Sequence, residues 1–201
     1  SGKLAPPPAQ AQEPIKVGVM GPFPGAASRT GEGIQKGAMM AVEEARQQGL
    51  LPVMVDGAER DLELIWVDSE SSPEKAVRAL ADAVNREGVE IMVSGWHSSV
   101  AMAVSEAEIG MGIVHIGHGG ESQYICEKIN EDPESYRHYF KGWPSPPIFA
   151  GLYGDPLQHF MDEGLWQPRT MTAAVLVEDT DFGRGWGEAL ASSLEKIGFD
   201  V

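Results

Sequence analysis

Four short apolar runs, IKVGVM (15–20), LELIWVD (62–68), VEIMVSG (89–95) and GIVHIG (112–117), alternate with stretches whose apolar residues recur at helical spacing. Ile34, Ala38, Ala41, Val42 and Ala45 share one helix face, as do Val77, Leu80, Ala81 and Val84, and then Val100, Ala103, Val104 and Ala107. Such spacing marks amphipathic helices, and the short apolar runs between them read as strands. Repeated β-α-β with nearly continuous apolar strands predicts an α/β, doubly wound fold, a parallel sheet with helices on both faces and right-handed crossovers. The boundary signals agree: Ser72-Pro73-Glu74 is a cap followed by proline in the first turn, and Gly49 and Gly88 stand where helices should stop.

After Gly117 the rhythm gives way to a long insert dense in turn formers and aromatics, ending at KGWPSPP. It resumes with a helical stretch from Ile148 to Gly164, a strand MTAAVLVED and a helix from Gly183 to Ile197. Phe199-Asp200-Val201 reads as the start of a further strand, so the expectation is a second α/β unit that is incomplete in this chain. A sheet of one or two strands leaves its edges open and buries little core. The first fourteen residues, SGKLAPPPAQAQEP, have no periodic apolar face and read as a flexible tail. Ala9-Gln10-Ala11 resembles a signal-peptide cleavage site, although no apolar segment precedes it, and a cloning scar is an equal reading.

Charge narrows the partners. Fifteen Lys and Arg against 30 Asp and Glu give a net charge of −15, which repels nucleic acid and anionic membranes and favours a small solute. One cysteine, Cys126, excludes an internal disulfide framework. No apolar run approaches the ~18 residues of a membrane span.

In open parallel sheets ligands bind beyond the C-terminal strand ends where the strand order reverses. With the order 2-1-3-4, the loops GPFPGAASRTGEG and SGWHSS flank that point, with DSESS and GHGGES beside them. SGWHSSVA opens a helix, so Ser98 or Ser99 can cap it while first-turn N–H groups and the helix dipole favour a carboxylate. A serine-hydrolase elbow needs G-x-S-x-G, and Gly95-Trp96-His97-Ser98-Ser99 lacks the second glycine. His115 and His118 stand at i and i+3 on a strand and so face opposite sides, which argues against a shared metal and for His115 as a core residue. GAASRTGEG and FGRGWG match no phosphate-loop pattern. Trp96 and Trp143 are either apolar platforms in the crevice or packing groups.

Taken in order, IKVGVMGPFPG, TGEGIQKGAMMAVEEA, ELIWVDSESSPEKAVRALADAVNREGVEIMVSG, GIVHIGHGGES and VLVEDTDFGRGWGEAL resemble the periplasmic solute-binding proteins of branched-chain amino acid ABC transporters. The resemblance runs from Ile15 to the end. It implies a type I, two-lobe architecture: residues 15–141 form the first lobe, 142–147 a hinge crossover, and 148–201 the start of an incomplete second lobe. It further implies an extracytoplasmic, periplasmic receptor, secreted with its signal peptide removed. Such a receptor binds an amino acid or similar small carboxylate between lobes that close, and hands it to an ABC permease in the membrane. It is not an enzyme, and neither cofactor nor metal enters.

By the resemblance Ser98 takes the ligand carboxylate, Trp96 borders the ligand, and Gly119 offers a carbonyl to its ammonium. Glu121 stands where relatives often have threonine, Thr30 lines the ligand side chain, and Phe182 replaces a common tyrosine near the cleft. His97, Ser99 and Gly120 flank these positions and join the candidate ligand contacts, although the resemblance gives His97 no role of its own. The family's acidic ammonium ligand of the second lobe is expected beyond Val201. Alternatives are a receptor for an aromatic or other non-amino carboxylic acid, a sensor module of the same fold, and last a hydrolase using His97 and Ser98.

Overall fold

The computed structural model describes residues 12–120 and 122–201. Strands β1 (Ile15–Gly21), β4 (Leu62–Asp68), β5 (Ile91–Ser94), β6 (Val114–Gly117) and β7 (Tyr139–Lys141) form one sheet in the order β4-β1-β5-β6-β7, parallel at every pairing. The first four strands thus lie in the expected 2-1-3-4 order, and the reversal falls between β1 and β5. The insert also has regular structure. It holds helix α4 (Gln123–Glu131), capped by the Ser122 hydroxyl, and β7, whose Tyr139 pairs with His115.

Helices α1 (Ser28–Gln47), α2 (Pro73–Asp82) and α3 (Ser98–Ala107) follow β1, β4 and β5. The Ser72 hydroxyl accepts from Lys75 N at 3.4 Å, Pro73 opens α2, and a π-helical turn, Ala83–Glu87, carries it to Gly88 at φ +75°. Helices α2 and α3 seal one sheet face. Met20, Val67, Ala76, Leu80, Met92, Val100, Val104 and Ile113 form the core there, with Leu80 and Met92 fully buried. Each such side chain contributes about 1.5–3 kcal/mol on leaving water. The opposite face is barer, with Val114, Ile116 and Phe140 exposed.

Between α1 and β4 lies a hairpin, β2 (Val53–Val55) with β3 (Ala58–Arg60), turning through Asp56 and Gly57. Both turn residues have positive φ, 50° and 82°, as a two-residue loop matched to the strand twist requires.

The second unit has helices α5 (Pro146–Asp162) and α6 (Asp181–Lys196) packed on each other, the Ser193 hydroxyl donating to the Ala150 carbonyl at 3.0 Å. The strand expected over 171–179 does not form. Its segment makes one parallel bridge, Thr172 with Asp200, and Leu176 is 98% exposed. A strand is defined by its neighbours, and among the described residues this segment has none to build a ladder with.

Candidate functional site

The strand-end loops are fastened backbone to backbone. His118 N donates to the Ser94 carbonyl at 2.7 Å, and Gly142 N to that of Gly117 at 2.8 Å. Asp68, at the end of β4, accepts from Phe23 N at 3.3 Å and Glu70 N at 2.8 Å, so it ties the loop after β1 to its own. The loops after β5 and β6 approach closely at Gly95 and Gly119, where a Cβ on Gly95 would stand 2.4 Å from Gly119 N. Trp96, next in the chain, has φ +99°. A bulky side chain in that region costs of order 1–3 kcal/mol, and here it turns the indole outward, 49% exposed.

Beyond these strand ends lies a cavity of about 570 Å³, walled on the first-lobe side by Ile34, Trp96, His97, Ser98, Ser99, His118, Gly119 and Gly120. Trp143 from the crossover and Glu178, Thr180, Asp181 and Phe182 from the second unit close the other side. Seven of the sequence candidates therefore meet in one place: Trp96, His97, Ser98, Ser99, Gly119, Gly120 and Phe182. Thr30 does not line it; it sits in the first turn of α1, and Ile34, one turn on, lines the cavity instead. Glu121 lies outside the described residues.

Helix α3 begins differently from expectation. Its N-cap is His97, in extended conformation, and no side chain caps it. The first intrahelical bond runs from Ala101 N to the His97 carbonyl at 2.9 Å, so the N–H groups of Ser98, Ser99 and Val100 have no carbonyl within the helix to bond. Neither serine caps because both lie inside the helix, and the Ser98 hydroxyl is turned toward α4. Buried, it accepts from Ser122 N at 3.3 Å. A carboxylate at this point gains the helix dipole as well.

The histidines have separate duties. His97 Nε2 is bonded to the Ser71 hydroxyl at 3.1 Å, on the loop after β4, so the pairing with Ser98 that a hydrolase would need is not made. His115 is buried in the core, Nε2 on the Ser94 hydroxyl at 2.6 Å and Nδ1 on Glu108. That line has the order of a catalytic triad, but all three residues are buried and none borders the cavity. His118 faces the other way, as the strand period requires, and does line the cavity. Its Nε2 is buried without a hydrogen-bond partner.

Burial pushes the His118 ring below its ordinary value of 6.5, against the pull of the His118 and Met20 carbonyls. The folded ring therefore binds a proton less readily than the unfolded one. Its contribution to stability is full above pH 6.5 and is lost as the pH falls toward the folded value. A His118→Asn protein should lose less stability than the parent on acidification through this window. Equal slopes in melts recorded from pH 7.5 downward would contradict the placement of the ring.

Phe182 stands edge-on to Trp186 at 6.1 Å, Trp186 stacks on Phe149 at 5.7 Å, and Phe149 meets Trp143 at 6.2 Å. This relay of rings joins the crossover to the wall supplied by α6. The Thr180 hydroxyl caps α6, accepting from Gly183 N at 3.0 Å, and so fixes the loop that carries Glu178 and Asp181.

Residues 14–201 match the sequence profile of a family described as periplasmic binding protein. The chain belongs to this family. Solved structures agree in fold. A protein of Silicibacter pomeroyi described as a branched-chain amino acid ABC transporter superposes with TM-score 0.78 at 19% identity, over 94% of this chain and 46% of its own. The leucine binding protein LivK of Thermotoga maritima gives 0.71 at 16%, over 92% and 47%. A solute binding protein of an R. palustris ABC transporter, in complex with benzoate, gives 0.71 at 20%, over 94% and 46%. The chain thus spans slightly under half the length of these structures, with the α/β lobe and part of a second lobe of a type I periplasmic binding protein. None of the curated proteins matches it.

Proposed function

We propose that this chain is part of an extracytoplasmic solute receptor of an ABC importer, binding an amino acid or similar small carboxylate between two lobes and presenting it to a membrane permease. The carrying observation is that a single cavity gathers the start of α3, two first-lobe strand-end loops and a second-lobe loop. The ligand carboxylate sits at the α3 N-terminus against Ser98, bordered by Trp96, His97 and Ser99, with Gly119 and Gly120 presenting backbone. Phe182 closes from the other side, and the Gly142–Pro147 crossover serves as the hinge. Glu121, next in sequence to Gly120, and Thr30, at the start of α1, remain proposed contacts of the closed form.

A screen of amino acids against the full-length protein should find a ligand that raises its melting temperature by mass action. Ser98→Ala should weaken that ligand about tenfold or more, the worth of a hydrogen bond to a charged group. Its own melting temperature should fall without loss of the fold, because the buried Ser122 N–H loses its acceptor at a cost of about 1–3 kcal/mol. An unchanged dissociation constant in Ser98→Ala would remove the residue from the site.

A further inference from the structure

The cavity wall opposite the first lobe has two aromatic members, Trp143 on the crossover and Phe182 at the start of α6. Trp143 is 44% exposed and Phe182 half-buried, so burial alone fixes neither ring. Both lean on one residue further in. On α6, Trp186 stands one turn after Phe182, and on α5, Tyr153 stands one turn after Phe149, so each pair shares a helix face. The two faces meet at Trp186. Its ring stacks on Phe149 at 5.7 Å with the planes 22° apart, and stands edge-on to Tyr153 at 5.9 Å and to Phe182 at 6.1 Å. Phe149 passes the contact on to Trp143 at 6.2 Å. Trp186 itself does not line the cavity.

The helices that carry these rings have little freedom to slide. A Cβ on Gly154 would stand 2.3 Å from the Ser193 hydroxyl oxygen, and that hydroxyl holds the Ala150 carbonyl. With α5 and α6 in fixed register, the Trp186 ring sets where Phe182 and, through Phe149, Trp143 stand. Paired rings keep an edge-on or offset geometry at a definite spacing, which an aliphatic side chain at this position would not impose. A wall set before the ligand arrives loses less freedom when the ligand binds.

Resting on the reading of this cavity as the solute site, we infer that Trp186 is the positioning residue of its second-lobe wall. It touches no solute and acts through Phe182 and Phe149, so that the crossover ring and the α6 ring close on the solute as one piece.

L-Leucine and L-phenylalanine, titrated calorimetrically into the full-length protein and its variants, test this, with melts showing that each variant is folded at the titration temperature. Trp186→Leu should weaken the amino acid that binds by about tenfold, and Trp186→Phe, which keeps a ring at the node, should recover most of that loss. In a Phe182→Leu background the same Trp186→Leu change should cost only about threefold, because one contact it acts through is already gone. Ser193→Ala is the stability control: it loses the bond to the Ala150 carbonyl, so it should melt lower and bind as the parent does. If Trp186→Leu does not fold, the more adaptable Trp186→Met is read in its place. A folded Trp186→Leu protein with the parent's dissociation constant, losses that add in full across the double variant, or a Ser193→Ala protein that binds as weakly as Trp186→Leu each overturn the role of Trp186 and leave the reading of the cavity standing. If neither amino acid binds the parent, that reading falls, and the role of Trp186 with it.

Discussion

Gly95→Ala should lower the free energy of unfolding by roughly 2–5 kcal/mol and weaken ligand binding in the same protein. Two causes act together. Gly95 has φ +146°, a conformation that side chains rarely adopt, and its new Cβ would stand 2.4 Å from Gly119 N and 2.8 Å from Gly119 Cα. The obstacle is backbone and cannot swing away. It is also pinned, because His118 N holds the Ser94 carbonyl at 2.7 Å. Relief therefore requires β5 and β6 to part at their ends, which displaces Trp96, Ser98 and Gly119 from the cavity together. Gly37 in α1 is the natural control, exposed and with nothing within 4 Å of an added Cβ. Gly37→Ala should stabilise by up to about 1 kcal/mol. Guanidinium unfolding distinguishes the two, and a Gly95→Ala midpoint equal to the parent's would show that the loops yield freely.

The strands that carry the site were legible because each is an apolar run bounded by caps and glycines. The run 62–68 is β4 to the residue, and 89–95 and 112–117 contain β5 and β6. Their order, 2-1-3-4, was one of the doubly wound arrangements and was not written in any residue. What escaped was structure made by pairing across distance. β7 has three residues and owes its place to hydrogen bonds with β6. The segment 171–179 has a strand's composition and no strand's neighbours. The β2–β3 hairpin is different, since VMVDGAER carries an Asp-Gly turn between short β-rich runs, and that local signal was present to be read.

The site divides in the same way. Trp96 and Ser98 could be named from their place between a strand and a helix, whereas Gly119 and Phe182 were named through the family resemblance. His97 could not be given a partner, since Ser71 is 26 residues away and only the β4-β1-β5 order brings their loops together. His118 was weighed only for metal, although its place after β6 puts it at the cavity. Glu178, Thr180 and Asp181 went unnoticed beside Phe182 although they stand at the same entry to α6. Composition marks Glu178 and Asp181 only as acids among 30.

Glu108→Ala should cost about 3–5 kcal/mol, the penalty for breaking a buried, hydrogen-bonded pair by removing one member. Glu108 and His115 are 7% and 0% exposed, so removing the carboxylate strips Nδ1 of its partner in a buried place. Glu108→Gln keeps an oxygen for that nitrogen and should cost only about 1–2 kcal/mol. The two variants should also separate in pH. Burial raises the Glu108 carboxyl above its ordinary 4.5, so the folded state holds its proton more tightly than the unfolded chain. The stability this contributes is full below pH 4.5 and is lost as the pH rises through the folded value. Glu108→Gln abolishes that slope. Loss of His115's acceptor also reaches the cleft, because His115 holds the Ser94 hydroxyl at 2.6 Å and the Ser94 carbonyl holds His118 at 2.7 Å. Glu108→Ala should therefore weaken ligand binding as well as unfold more readily, whereas a purely local packing defect would change the unfolding midpoint and leave the dissociation constant where it was.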